Sequence, residues 1–526
     1  MTKLNPFELA KQVTPETGWK STDSGTKINV STIGATLEPT DGPRVVNPLA
    51  ALITKNSGGN LEESQVRAVL TDRRPQDEPE LLDALNSCHF VAVEGGKTRV
   101  FTQTHDPALK REVLDRSSFE DFRNFYVNKR IVAGYSSKGV PKEVPAGRWW
   151  LEHPNRLTFQ RVAFLPGQVA PDGTYNLWRG WETEAVEGDW SLFRTHIRDV
   201  ICSGDEECYS YLLGWMARTV QRPSEPGQVA VVLRGGRGTG KGIFARDFGA
   251  LFGQHHMHIS SSKHLTGNFN AHLQDCLLLF ADEAFWAGDK QGESTLKALI
   301  TEPTMTVEPK GVNAFQAPNH IHLIMASNKE WVVPAGGDER RFLVLDVSDV
   351  HQQDRTYFGA IERQMHEEGG LEAMLHDLME YDLSDFDVWE VPNTEALVRQ
   401  KAATLEPPEQ WWLSKLEEGR VLPFGDAWPT KVSSRALHQD FVKSMGNAGW
   451  WRGTSSNALG LLIKRVTLGK MIRKQNVKMR EPGVDGYMRD VTRNAYFLPD
   501  LEEARDAFQR ITGVAVEEFE DEGESR

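Results

Sequence analysis

Cysteine is scarce: Cys88, Cys202, Cys208 and Cys276 are the four in 526 residues, and no two form a C-x-x-C pair. That excludes a zinc ribbon or a disulfide framework and points to a reducing compartment, the cytoplasm. Long apolar runs are absent as well. No stretch approaches the roughly 20 residues of a membrane-spanning helix, and Met1-Thr2-Lys3-Leu4-Asn5-Pro6 carries no secretory core, so no membrane partner is expected. An excess of positive charge is also missing, since 60 Lys and Arg face 74 Asp and Glu for a net charge of −14. A uniformly basic coat for nucleic acid is ruled out, and any phosphate-binding surface must be local. The length implies about two to four domains.

What is present is a run from Val229 to Gly242, Val-Ala-Val-Val-Leu-Arg-Gly-Gly-Arg-Gly-Thr-Gly-Lys-Gly. An apolar strand enters a glycine-rich turn, and the amphipathic stretch Ile243-Phe244-Ala245-Arg246-Asp247-Phe248 continues as a helix. Gly235, Gly236, Arg237, Gly238, Thr239, Gly240, Lys241 and Gly242 then read as a phosphate-binding loop of the form G-x-x-x-x-G-K. Glycines let backbone N–H groups curl inward, the helix N-terminus adds positive potential, and Lys241 reaches the β- and γ-phosphates of ATP as a point charge. Gly242 stands where a Ser or Thr hydroxyl usually touches magnesium. The rival reading of the run alone is a glycine-rich surface turn.

Cys276-Leu277-Leu278-Leu279-Phe280-Ala281 reads as a buried parallel strand that delivers Asp282 and Glu283 at its C-terminal end, where an open α/β sheet places ligands. Asp282 is the candidate Mg2+ holder, and Glu283 the group that polarises attacking water. A third strand, Ile321 to Ser327, ends in Asn328, whose amide can bond the γ-phosphate or orient that water. Gly336-Gly337-Asp338-Glu339 then leads to Arg340, Arg341 and another apolar strand. A planar, permanently charged guanidinium suits a transferring phosphoryl group across a subunit boundary. Arg341, directly before the strand, is preferred over Arg340; the alternative is a surface pair with Asp338 or Glu339.

Lys241, Asp282-Glu283, Asn328 and Arg340-Arg341 follow the order and spacing of superfamily 3 helicases, and Ala326-Ser327-Asn328-Lys329-Glu330-Trp331-Val332-Val333-Pro334 resembles the helicase part of phage and plasmid primase–helicase proteins. The resemblance covers residues 90–450 and is strongest over 228–346. It implies an α/β, AAA+-like ATPase core, ATP and Mg2+ as cofactors, and a homo-oligomeric ring, usually a hexamer. Such rings translocate on single-stranded or forked DNA, typically 3′ to 5′, and work beside a primase or other replication protein. In that family a hairpin projects into the ring; Met305 to Gln316, with Pro309-Lys310-Gly311 at its turn, matches it and makes Lys310 a DNA contact. Residues 1–200 hold no D-x-D pair in a strand context with a following catalytic His, so priming by this chain is not expected. A primase–helicase with priming activity stays open as an alternative, as does a non-catalytic replication scaffold with a degenerate loop.

Between Phe441 and Arg480 there is no Asp or Glu, and Lys464, Arg465, Arg473 and Lys474 are among nine basic residues there. This stretch is the candidate DNA-binding surface, with a solvated helix face as the bland alternative. The expected organisation is a poorly ordered arm over 1–60, an α+β accessory domain over 61–190, a helical collar over 191–225 and the ATPase core over 226–350. A helical segment over 351–405, a winged-helix-like basic module over 406–516 and an acidic tail over 517–526 complete it. Glu406-Pro407-Pro408-Glu409 is expected to be a hinge or turn.

Overall fold

The apolar runs singled out above become strands in the computed structural model, which describes residues 53, 78–107, 111–135, 141–267, 270–283, 290–308, 313–423, 428–445, 454–482 and 488–516. The expected arm, Ile53 excepted, and the acidic tail lie outside those residues, as does Lys310. Internal contacts divide the chain into two units, residues 1–160 and 161–526.

The first unit runs α1 (Glu78–Asn86), β1 (His89–Glu94), β2 (Lys97–Asp106), β3 (Arg111–Ser117), α2 (Phe119–Phe125), β4 (Arg130–Tyr135), β5 (Pro141–Pro145) and α3 (Ala146–Glu152). Strands β1, β2 and β3 form an antiparallel sheet, with Glu94 opposite Lys97 at the tip of the first hairpin. Gly95 and Gly96 supply the positive φ values, 56° and 76°, that this two-residue turn demands. Val91, Val100, Phe122 and Trp150 close the core, and the Trp150 indole donates to Asn86 Oδ1 at 2.9 Å.

The second unit opens with β6 (Arg161–Ala163) and β7 (Thr174–Asn176), then α4 (Ser191–Thr195), a π-helical turn over His196–Ile201 and α5 (Glu206–Gln221). There follow β8 (Ala230–Arg234), α6 (Lys241–Ala250), β9 (His256–Ile259), α7 (Ser262–Thr266), β10 (Leu278–Asp282), α8 (Lys290–Thr301), β11 (Thr304–Val307), β12 (Phe315–Pro318), β13 (His322–Ser327) and β14 (Phe342–Asp346). Five of these make a parallel sheet in the order β14-β8-β13-β10-β9. Helices cover both faces, so the strands need no polar alternation; Val231, Val232, Leu278, Leu279 and Ile324 are fully buried. Strands β8, β10 and β13, adjacent in the sheet, each end at one of the motifs.

Helices α9 (Arg355–Glu367), α10 (Gly370–Glu380) and α11 (Glu395–Thr404) come next. The remainder is α12 (Pro407–Glu417), β15 (Lys431–Ser433), α13 (Ser434–Ser444), α14 (Ser456–Val466), β16 (Ile472–Pro482), β17 (Met488–Phe497) and α15 (Leu501–Thr512), with an antiparallel sheet in the order β15-β17-β16. Its core gathers Trp412, Leu437, Phe441, Ile463 and Phe508.

Two expectations need correction. The division between units falls after Gln160 instead of at 190, because residues 161–190 pack onto the sheet unit. The Trp178 ring stacks on His255 at 4.9 Å, Arg179 N donates to His255 Nε2 at 3.1 Å, and Glu182 N donates to Leu251 O at 2.9 Å. Glu406 to Glu409 is no hinge but the start of α12: Glu409 accepts from Glu406 N at 2.9 Å, closing a capping box, and Pro407 takes the first turn, where a missing N–H costs nothing.

Candidate functional site

The glycine-rich loop leaves β8 at Arg234 and enters α6 at Lys241. Two of its glycines are required by geometry. Gly240 has φ +95° and its Cβ would stand 2.4 Å from the His196 ring; Gly238 has φ +77° and its Cβ would meet Gln353 at 2.9 Å. The segment after β14 clasps the same loop, with Gln353 N donating to Gly238 O at 2.9 Å and the Gln352 amide to Arg237 O at 2.8 Å.

Lys241 folds back over this loop. Its ammonium donates to Gly235 O at 2.8 Å, Gly236 O at 2.6 Å and Asn328 Oδ1 at 3.2 Å, and lies 3.5 Å from Thr239 Oγ1. Burial pushes the Lys241 ammonium down from its ordinary range, while Asp282 and Glu283 oppose that shift. Glu283 has φ +53°, an uncommon conformation for a residue with a Cβ. It is held by its own N–H to Ala326 O at 2.9 Å, and its carboxylate accepts from Ser327 Oγ at 3.0 Å and Asn328 N at 2.8 Å. Asp282 Oδ2 lies 3.7 Å from His258 Nε2.

These groups share one cavity of about 1010 Å³, lined by the loop from Arg237 to Ile243 together with Asp282, Glu283, Asn328 and His258. Arg246 from α6 and Arg355, Phe358 and Glu362 from α9 complete the wall. The cations and the helix start can hold an anion, while the paired carboxylates can hold a cation or a polarised water. A Cβ added at Gly242 would meet nothing within 4 Å, so this position borders open space in the wall of the same cavity.

Lys241, Asp282, Glu283 and Asn328 are thus brought together. Arg340 and Arg341 are not in that cavity's wall. Arg341 Nη1 donates to Glu339 Oε1 at 3.1 Å, so the pair with Glu339 offered as the alternative forms, but on a carboxylate that is 6% exposed and not at the surface. Arg340 is exposed, with its guanidinium 5.0 Å from the centre of the Trp389 ring.

The basic stretch is distributed over α14 and β16. Lys464 is exposed on α14 beside Leu461, which is 70% exposed. Arg465 is tied to the Glu409 carboxylate, Arg473 donates to Asn457 Oδ1 at 2.8 Å, and the Lys474 ammonium sits 4.5 Å from the Phe497 ring centre. Strands β11 and β12 pair antiparallel from Thr304↔Pro318 to Val307↔Phe315, as the hairpin reading requires.

Sequence reading missed His196, Arg246, His258 and Arg355. Arg246 was within reach, since it follows Lys241 on the same helix. His196 carried no signal: a π-helical turn sets it beneath the loop, with Nε2 3.4 Å from Gly240 O and Nδ1 3.3 Å from Tyr357 OH. Burial pushes its pKa down to about 4, so it is a neutral support at ordinary pH.

Residues 233–341 match a protein family described as a family of unknown function (DUF5906). The chain is 24% identical over 229 residues to the DNA primase-polymerase of Nitratiruptor phage NrS-1, a match covering 41% of this chain and 32% of that protein. It therefore spans about a third of that relative's length. The apo structure of the NrS-1 C-terminal region, residues 305–718, superposes with a TM-score of 0.52 at 15% identity, covering 81% of this chain and 100% of that one. In fold the chain is a mixed α/β protein similar to that region, and by sequence it is related to a phage DNA replication protein.

Proposed function

We propose that this chain is the ATP-driven DNA motor of a phage replication protein of the primase–helicase kind, with an AAA+-like core of superfamily 3 type and a winged-helix-like C-terminal module. The observation that carries the reading is the convergence of Lys241, Asn328 and Glu283 on a glycine-rich loop at the ends of three adjacent parallel strands. The order of elements from β15 through α13 and α14 to the β16–β17 hairpin supports the winged-helix assignment.

In this reading Lys241 exchanges its carbonyl partners for the β- and γ-phosphate oxygens of ATP, and the loop amides and the start of α6 complete the cradle. Asp282 would hold Mg2+, whose charge offsets that of the phosphates, with water in place of the hydroxyl that Gly242 lacks. Glu283, fixed by Ser327 and Asn328, takes the proton of the attacking water, and Asn328 reports the state of the γ-phosphate to Lys241. Arg340 is the better-placed guanidinium to reach a neighbouring protomer's site, because Arg341 is engaged by Glu339. Lys310 at the β11–β12 hairpin and Lys464, Arg473 and Lys474 would track the DNA phosphates in the host cytoplasm.

Single-stranded DNA added to the purified chain should raise ATP hydrolysis, and a forked duplex should be unwound in an ATP-dependent manner. ATP turnover without any response to DNA would oppose the motor reading. A second reading, that the chain also takes part in priming, draws on the primase-polymerase relative. Primer synthesis on a bare template with nucleoside triphosphates separates the two.

A further inference from the structure

Helices α6 and α9 meet at a cluster that shares only Glu362 with the wall of the cavity at the glycine-rich loop and has no part in the motor's proposed chemistry. Asp247 on α6 is 2% exposed. Opposite it, α9 presents Glu362 and His366, which stand four residues apart and so share a helix face. A ligand atom from each of the three lies within 4.8 Å of the other two. His366 Nε2 is 3.2 Å from Asp247 Oδ1, while Asp247 Oδ2 is shielded from solvent and has no hydrogen-bond partner. Buried carboxylate oxygens are ordinarily satisfied, so Asp247, with one oxygen on His366 and the other without a partner, retains the capacity to ligate a cation.

We propose that Asp247, Glu362 and His366 bind a divalent transition-metal ion, with zinc as the reference, which braces α6 against α9. Two oxygens and one imidazole nitrogen make a mixed donor set of borderline softness, suited to Zn2+ and its first-row neighbours. Mg2+ and Ca2+ favour all-oxygen shells, so the imidazole selects against them. Three protein ligands leave a further position to water, consistent with Glu362 and His366 being open to solvent. Because α6 begins at Lys241, the ion would fix the helix that carries the lysine, and Glu362 places it at the rim of the cavity described above. The proposal is independent of what that cavity binds.

The test is calorimetric titration of the chelator-treated full chain with Zn2+ and, separately, Mg2+, without nucleotide. Glu362→Gln and His366→Gln alter exposed side chains, so both variants should fold, as circular dichroism would verify. Asp282→Asn serves as the control for the other carboxylate site. Removing a ligand should weaken zinc by more than the about 10–100-fold that outer-shell changes cost. The expected result is one tight zinc per chain, lost in both α9 variants, unchanged in Asp282→Asn, and far tighter than Mg2+. Exposed His264 and half-buried His272, with rings 5.6 Å apart, can take up zinc elsewhere, and the α9 variants isolate this site. Unchanged zinc affinity in those variants overturns the proposal. So does an absence of saturable uptake, equal affinity for Mg2+, or loss of the ion in Asp282→Asn.

Discussion

Replacing Glu283 with Gln separates chemistry from architecture at the centre of the site. The left-handed backbone of Glu283, at φ +53°, carries a cost of about 1–2 kcal/mol for a side chain with a Cβ. Two bonds offset it, from Ser327 Oγ at 3.0 Å and Asn328 N at 2.8 Å, each worth about 1.5–3 kcal/mol when the acceptor is ionised and less where water competes. Glutamine keeps both: its amide oxygen accepts from Asn328 N, and its NH2 donates to the Ser327 hydroxyl after that hydroxyl rotates. Stability should therefore fall by about 1 kcal/mol or less, the difference between a charged and a neutral acceptor. What is lost is the base, so turnover should drop by about 10²–10⁴-fold, equivalent to about 3–5.5 kcal/mol in the barrier. Phosphate release with single-stranded DNA measures turnover, a fluorescent ATP analogue measures binding, and urea unfolding measures stability. Turnover within about threefold of wild type would remove Glu283 from the base role. Loss of nucleotide binding in proportion to turnover would refute the reasoning differently, making Glu283 only a support for Asn328.

Gly240→Ala forces a Cβ to φ +95° and to 2.4 Å from the His196 ring, so it should lower stability by about 2–5 kcal/mol in urea unfolding and abolish nucleotide binding; a wild-type midpoint would contradict the loop geometry. Arg341→Ala strips a partner from the buried Glu339 carboxylate and should cost about 1–3 kcal/mol. Arg340→Ala should cost about 1 kcal/mol or less yet lose turnover, and equal melting of the two variants would undo that distinction. Gly242→Ser, at a position with nothing within 4 Å of the new Cβ, should lower the Mg2+ concentration needed for half-maximal hydrolysis, and an unchanged requirement would remove Gly242 from the metal's surroundings. Burial pushes His196 and His256 down to about 4 and His322 to about 3, so between pH 6.5 and 4 the unfolded chain takes up protons that the folded chain refuses. Stability from these groups is complete above pH 6.5 and falls as pH drops, by an upper limit of about 2 kcal/mol per histidine at pH 5. Thermal melts from pH 7 to 5 should show the decline and His322→Gln should lessen it; a flat profile would contradict the burial.

The convergence of Lys241, Asp282, Glu283 and Asn328 was readable from the chain because each piece sits at the end of an apolar run. Leu278 to Asp282 and His322 to Ser327 are strands buried on both faces, which leaves their sequences uninterrupted and their ends marked by the first polar residues. The lateral order β14-β8-β13-β10-β9 was not readable, since parallel neighbours are chosen by helix packing on the faces. The placement of residues 161–190 was missed for a related reason: Trp178 and Trp181 look like a small core of their own until His255 and Phe252 supply their partners. For Arg341 the sequence left two readings, a role across a subunit boundary or a pair with Asp338 or Glu339, and the contact with Glu339 Oε1 is formed through the fold around that buried carboxylate, which spacing alone does not fix. The Asp247 cluster was half visible, as Glu362 and His366 stand one helical turn apart, but nothing in the sequence brings Asp247 to them.

The account rests on ATP cleavage at the loop between β8 and α6, and the most direct measurement is phosphate release by the purified chain with saturating single-stranded DNA, wild type beside Lys241→Ala. Sustained release by the wild type and none above background in the variant is the predicted result. Equal release by both, or no release by either, would contradict it.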